Sequence, residues 1–210
     1  MNIFKNNFCL LLLFSFFIFS QDNIKKINFE LIDAQVNSNG IDDLLKRYTD
    51  FDLTLTQSEL QHLYYGYKLK YFYANKSTFR NKNFDLLLNE SVDCSQKIKI
   101  CDSILEDDLF DLEVNIIRVN CKRQLGPKEN NYINEVQLVM KMFYAIKSSG
   151  VGTLESPIYI INSNHKNFIL QLFQLKTSGK ISYMNSLEVV QIIDDKNIKE
   201  LYFDISRSLN

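Results

Sequence analysis

The clearest pattern in the chain is a series of helical apolar spacings through its middle. Apolar residues recur every three to four positions from Val92 to Asp108, from Asp111 to Leu125 and from Asn131 to about Lys147. An acidic break separates the first two segments, and Gly126-Pro127 is a typical helix stop. Consecutive helices joined by short loops predict antiparallel hairpins that pack side by side.

An earlier helix is predicted from its start signal. Thr56 precedes Glu59 by three residues, which is the spacing of a capping box. The helix continues through Tyr67, and Gly66 is expected to permit close contact with another helix. A shorter helix is expected over residues 41–48.

The pattern changes at Ser148–Thr153, where small residues and two glycines predict a boundary. A helix is expected over residues 165–176, followed by a turn at 177–180. Strands are expected at residues 157–162, 186–193 and 198–205. The sequence thus predicts an α+β protein with stacked antiparallel helical hairpins over residues 21–149. A small antiparallel sheet with one helix follows over residues 150–210.

The first twenty residues predict export. Lys5 precedes an apolar run from Phe8 to Phe19 that ends at the small residue Ser20. This run is too short to span a bilayer comfortably and has the features of a cleaved secretory signal. We therefore expect residues 1–20 to be a signal peptide and the mature protein to be periplasmic or secreted, without stable membrane insertion.

Charge and composition narrow the functional class. The chain has 24 basic and 25 acidic residues, so it lacks the basic excess of a nucleic-acid-binding protein. No nucleic-acid partner is expected. The chain has six glycines and two prolines, which are few for an all-β protein of 210 residues and favour helix.

Three cysteines follow the predicted signal. Cys94 and Cys101 lie about two helical turns apart, roughly 10 Å, and cannot bond to each other within one helix. Cys101 and Cys121 could form a disulfide if their helices pack side by side. The alternative is that the cysteines are small buried apolar residues. No metal site is expected, because the ligand spacing of structural zinc sites is absent and the chain has two histidines.

Catalytic motifs are not evident. Neither His62 nor His165 stands beside a recognisable serine or cysteine nucleophile motif. The Gly150-Val151-Gly152-Thr153 turn lacks the Lys-[Ser/Thr] ending of a phosphate loop. We expect a protein that is not an enzyme and that needs no cofactor.

The feature with the greatest functional potential is the tyrosine-rich helix. Its tyrosines occupy several faces, so they cannot all point into one core stripe. They either lie between two packed regions or line a groove that accepts a peptide or glycan. The candidate binding residues are Tyr64, Tyr65, Tyr67, Lys68 and Tyr71.

The middle of the chain resembles the tetratricopeptide class of helical hairpins. Cys94 and Cys101 have the seven-residue spacing of small packing positions, and the break Glu106-Asp107-Asp108 follows them. The usual proline after that break is absent, and only one or two units would fit. The resemblance implies stacked helical hairpins.

Five short motifs, in a distinctive order, carry a second resemblance. They are Arg47-Tyr48, Asp52-Leu53-Thr54-Leu55-Thr56, Leu63-Tyr64-Tyr65-Gly66, Gly150-x-Gly152-Thr153 and Leu201-Tyr202-Phe203-Asp204-Ile205. In these motifs the chain resembles a family of exported proteins from Bacteroides-like and Flavobacterium-like bacteria, known as a domain of unknown function. The chain departs from that pattern at Val151, where the resemblance implies an acidic residue, and at Asn164-His165-Lys166, where it implies Asp-Glu-Tyr.

Two functional hypotheses follow. The first is a non-enzymatic periplasmic or secreted module whose helical hairpins bind an envelope protein or peptide. The second is an envelope enzyme or a small-ligand binder that uses the tyrosine-rich helix, with Tyr64, Tyr67 and His62 as contact residues.

Overall fold

The computed structural model describes residues 27–71, 77–126, 132–193, 195 and 197–207. The described residues form eight helices and four strands. The helices are α1 (Phe29–Asn37), α2 (Gly40–Thr49), α3 (Gln57–Tyr71), α4 (Ser77–Leu88), α5 (Cys94–Asp107), α6 (Leu112–Leu125), α7 (Tyr132–Lys147) and α8 (Asn164–Leu172). The strands are β1 (Ile158–Tyr159), β2 (Lys176–Met184), β3 (Leu187–Ile193) and β4 (Glu200–Asp204). The predicted α+β fold is confirmed.

The predicted capping box and the predicted close packing at Gly66 are both present in α3. The Thr56 hydroxyl accepts a hydrogen bond from the Glu59 amide at 3.2 Å, and Glu59 Oε2 accepts one from the Thr56 amide at 2.7 Å. These reciprocal bonds satisfy two amides that the first helical turn leaves free. At Gly66, a Cβ atom would collide with the side chain of Ile41 in α2. Glycine therefore allows α2 and α3 to pack closely.

The sheet is mixed, whereas the sequence predicted a purely antiparallel one. Its order is β1-β4-β3-β2. The β2–β3 and β3–β4 pairs are antiparallel, but β1 pairs with β4 in parallel. The difference arises because β1 lies beside the last strand rather than beside the next strand along the chain.

Several elements differ from their predicted bounds. Helices α1 and α4 were not predicted, and β1 has two residues. Helix α8 ends at Leu172, because Gln174 adopts a left-handed backbone conformation with φ 56°. The predicted turn at 177–180 is wrong: these residues lie within β2, which contains an irregularity between Thr177 and Ile181.

The apolar interior consists of a main cluster and a smaller satellite. The main cluster joins α1–α3, α7 and α8 to the sheet. The satellite lies among α4, α5 and α6 and contains Leu87, Cys101, Ile104, Leu105 and Val114. The α5–α6 hairpin is thus held partly by its own small core.

A polar contact joins the two ends of the described chain. The Arg207 guanidinium lies 2.9 Å from an Asp33 carboxylate oxygen, and its Cζ atom is 4.4 Å from the centre of the Phe29 ring. Arg207 follows β4, whereas Phe29 and Asp33 belong to α1. This contact fastens the first helix to the C-terminal region.

The predicted signal peptide, residues 1–20, lies outside the described residues. Among the described helices, none has the length and apolar character needed to cross a membrane. The tetratricopeptide resemblance and the predicted division at residue 149 stay predictions.

Candidate functional site

The five candidate binding residues of α3 lie mostly inside the protein. Tyr64 and Tyr65 are fully buried, Tyr67 and Lys68 are nearly so, and Tyr71 is partly exposed. The three buried tyrosines belong to the main core, and Tyr71 packs against it. This arrangement matches the alternative in which the helix lies between two packed regions. A ligand-binding role for these residues stays a prediction.

Two of these tyrosines connect α3 to the C-terminal region. The Tyr65 hydroxyl donates a hydrogen bond to the Tyr159 carbonyl in β1 at 3.0 Å. The Tyr64 hydroxyl lies 2.5 Å from Nδ1 of His165 in α8 and accepts a hydrogen bond from the Ile161 amide at 3.2 Å. The tyrosines therefore give α3 directional contacts in addition to apolar packing.

His165 is sealed from solvent, with 2% of its surface exposed. Burial lowers its pKa to about 4, so the ring is neutral at pH 7. Its Nδ1 and the Tyr64 hydroxyl share a hydrogen bond in which the donor depends on the ring tautomer. Nε2 is buried and has no hydrogen-bond partner among the described residues. The Phe110 backbone opposes the effect of burial, because it raises the pKa of the ring. In this conformation His165 cannot reach a substrate, whereas His62 is partly exposed.

Asp108 lies beside the buried face of α3. Its carboxylate accepts hydrogen bonds from the Asn162 amide group at 3.1 Å and from the Phe110 backbone amide at 3.2 Å. Burial, followed by the nearby negative charge of Asp111, raises the pKa of Asp108 to about 6. Burial also lowers the pKa of Lys68, while Asp108 opposes that shift. The charge of Asp108 thus changes just below neutral pH.

The segment that departs from the family pattern forms buried polar contacts. Lys166 pairs with Glu188 of β3, and both side chains are buried. The Ser163 hydroxyl donates to the same carboxylate at 2.9 Å. Because a buried charge needs a partner, removal of either Lys166 or Glu188 is costly. These residues attach α8 to the sheet.

The three cysteines among the described residues, Cys94, Cys101 and Cys121, are free thiols. Cys101 and Cys121 are buried, and Cys94 is partly exposed. The possible disulfide between Cys101 and Cys121 stays a prediction. Burial raises the pKa of each of these two thiols to about 12.

An open groove lies between helices α2, α3 and α5. Its volume is about 380 Å³. Leu45, Leu105 and Leu109 provide apolar surface, and the lining also includes Tyr67. Its polar lining residues are Asp42, Lys46 and Thr49. The groove contains one of the predicted binding residues.

Strand β2 presents three exposed apolar side chains close together. Tyr183 is 65% exposed, and Ile181 and Met184 are each 42% exposed. The strand is at the end of the sheet order, next to β3 alone among the described strands. Ile181 and Tyr183 share one face, because side chains alternate along a strand.

The β2–β3 hairpin determines which backbone groups of β2 point outward. Met184 pairs with Leu187 across a two-residue connection, and Tyr183 and Ile181 pair with Glu188 and Val190. In such a hairpin the pair beside the turn exchanges both hydrogen bonds, and the next pair exchanges none. The amide and carbonyl groups of Tyr183 and Ile181 therefore face the open edge.

A comparison with protein families supports the sequence resemblance. A family model described as "Domain of unknown function (DUF4919)" matches residues 25–210. The chain belongs to the DUF4919 family. No curated protein and no solved structure matches it.

The DUF4919 match includes all the helices and strands described above, together with the edge of β2. Sequence reasoning missed β2, because Ser178-Gly179-Lys180 has the composition of a turn. The alternation of Ile181, Ser182 and Tyr183 was the available strand signal. Within the part of this DUF4919 protein that the structure describes, no cluster of three or more His, Cys, Asp or Glu side chains could hold a metal ion.

Proposed function

We propose that this DUF4919 protein is a non-enzymatic interaction module that binds an extended segment of another protein along β2. The observation that carries the proposal is the open edge at Ile181 and Tyr183. An incoming strand would pair with the outward backbone groups of these residues, as in β-strand addition. Their exposed side chains would contact alternate side chains of the partner.

The charge of β2 favours an acidic partner. The strand contains Lys176 and Lys180 and no acidic residue. Opposite charges across a strand pair are favourable, whereas like charges are unfavourable. Edge lysines also hinder the pairing of two copies of the same strand. We therefore expect a partner segment in which acidic and apolar residues alternate.

The enzymatic alternative has less support. His165 is the histidine with the strongest pKa shift, yet it is sealed and its Nδ1 is occupied by Tyr64. A general base must come within hydrogen-bond reach of its substrate.

The proposed location is the periplasm or the extracellular space, and it rests on the signal features of residues 1–20.

The test is a selection of random peptides on the full chain, followed by affinity measurement and amide hydrogen exchange. We expect selected peptides to alternate acidic and apolar residues and to protect the Ile181 and Tyr183 amides. Tyr183→Pro removes an outward amide and should weaken binding about tenfold or more. Tyr183→Thr retains that amide and serves as the matched control, so it should bind more tightly than the proline variant.

Peptides without acidic residues, or equal affinities for the two variants, would contradict the proposal.

The groove between α2, α3 and α5 supports a second candidate function, the binding of a small ligand or a peptide side chain. Its apolar surface and its 380 Å³ volume favour this alternative. Protection confined to the amides around Leu45 and Leu105 would identify the groove as the binding site instead.

A further inference from the structure

The α5–α6 hairpin brings two cysteines side by side. Two contacts define its register: the Cys94 thiol donates to Gln124 Oε1 at 3.4 Å, and Arg118 lies 3.1 Å from Asp102. As the residue number rises along α5, that of its partner on α6 falls, so the helices are antiparallel. Cys121 lies almost one turn before Gln124 on α6. This register brings Cys121 near the start of α5.

Cys121 lies on the face of α6 that meets the Cys94 thiol, because Gln124, which that thiol contacts, is three residues further along the same helix. Burial, followed by the neighbouring Cys94 thiol, raises the pKa of Cys121. Cys101 lies instead with Val114 in the satellite core, and Val114 is about two turns before Cys121 on α6. Cys101 affects Cys121 through a weaker electrostatic interaction. Cys94 is thus the neighbouring thiol.

We propose that Cys94 and Cys121 are a disulfide-forming site, with Cys101 left as a free thiol. The site fastens the start of α5 to the end of α6. It does not depend on binding at β2. The sequence left open a different pair, Cys101 and Cys121, because helical spacing alone does not specify which of two cysteines contacts a third on the next helix.

The oxidant in this proposal is a low-molecular-weight disulfide. Cys94 is the more exposed thiol and attacks first, which forms a mixed disulfide and releases one thiol. The Cys121 sulfur then attacks the Cys94 sulfur, forms the internal disulfide and expels the second thiol. The two cysteines lose two electrons and two protons, and the oxidant is reduced to two thiols.

The position of the bond makes it stabilising. The satellite core among α4, α5 and α6 is small, and the hairpin lies between the two cysteines in sequence. A disulfide that closes a loop of this kind restricts the unfolded chain. We expect oxidation to raise Tm by about 5–10 °C.

The test uses the full chain with Cys9→Ser, incubated with oxidised glutathione and mapped by peptide mass spectrometry under non-reducing conditions. Cys94→Ser removes the proposed bond at a partly exposed position. Cys101→Ser is the matched control, because it removes the thiol that is expected to stay free.

We expect one internal bond between the Cys94 and Cys121 peptides in the parent chain and in Cys101→Ser. Cys94→Ser should lack both this bond and the rise in Tm. A bond from Cys101 to Cys121, a bond between chains, or three reduced thiols after oxidation would overturn the proposal.

Discussion

Helix α3 and strand β2 both carry tyrosines and lysines, but the fold places them in opposite environments. In α3, Tyr64 and Tyr65 are fully buried and make hydrogen bonds to the C-terminal region. In β2, Tyr183 is largely exposed, and Lys180 is exposed nearby. A tyrosine-rich sequence is therefore not by itself evidence of a binding surface.

The difference comes from the number of neighbours that each element has. Helix α3 packs against α1, α2 and α7 and reaches β1 and α8 through its tyrosine hydroxyls. Strand β2 has one neighbouring strand in the described sheet. Tyrosine suits both environments, because it combines a large apolar ring with one polar atom.

Substitution of Tyr64 should produce the largest effect. Tyr64→Ala should lower the free energy of unfolding by about 3–5 kcal/mol, because it leaves a cavity and removes the hydrogen bonds to His165 and Ile161. Urea denaturation monitored by circular dichroism measures this change. Tyr71→Ala is the control on the same helix, and we expect a loss below about 1 kcal/mol since Tyr71 is partly exposed. Equal losses for the two variants would mean that Tyr64 contributes no more to the core than the partly exposed Tyr71 does.

The pH dependence of stability should distinguish the buried polar contacts from the exposed edge. The native pKa of Asp108 is raised to about 6, so between about pH 4 and pH 6 the native state binds more protons there than the unfolded state. The unfolding free energy that Asp108 contributes in this way is fully present below about pH 4 and is lost as the pH rises through 6. His165 acts in the opposite direction over about pH 4–6.5, because its native pKa is lowered.

Asp108→Asn should isolate the first of these contributions. Relative to the variant, the parent chain should lose about 1–2 kcal/mol of unfolding free energy between pH 4 and pH 6.5, after allowance for the partial exposure of Asp108. Urea denaturation at several pH values measures the difference. Asp195→Asn, at a partly exposed site, is the control and should not reproduce this decline, because the pKa of Asp195 is lowered and not raised. A constant difference between the parent chain and Asp108→Asn would contradict the expected titration.

The smallest effect on stability is expected at β2. Tyr183→Ala removes an exposed ring and should change the free energy of unfolding by less than about 0.5 kcal/mol. The same denaturation experiment provides the measurement. A loss comparable to that of Tyr64→Ala would show that Tyr183 belongs to the core, and the proposed binding edge would then be wrong.

Much of the helical region was predictable, because its signals are local. The capping box at Thr56 and Glu59 and the stop at Gly126 depend on residues close together in sequence. Gly126 has a positive φ of 95°, as expected for a residue that ends a helix. Periodicity also placed α5, α6 and α7 to within a few residues.

The candidate site was less predictable, because it depends on contacts distant in sequence. Nothing close to Tyr64 in the sequence indicates that His165 will approach its hydroxyl. Similarly, the sequence of β2 does not reveal that β1 pairs with β4, which leaves β2 at the end of the sheet. Burial of the tyrosines and exposure of Tyr183 both follow from that arrangement.

The contact between Arg207 and Asp33 has a consequence for how the protein folds. It spans 174 positions in sequence, so the chain must close a very long loop before the contact can form. Contacts of this kind raise contact order, which is associated with slow folding. We therefore expect α1 to be fastened late, after the C-terminal strands have formed and brought Arg207 into reach.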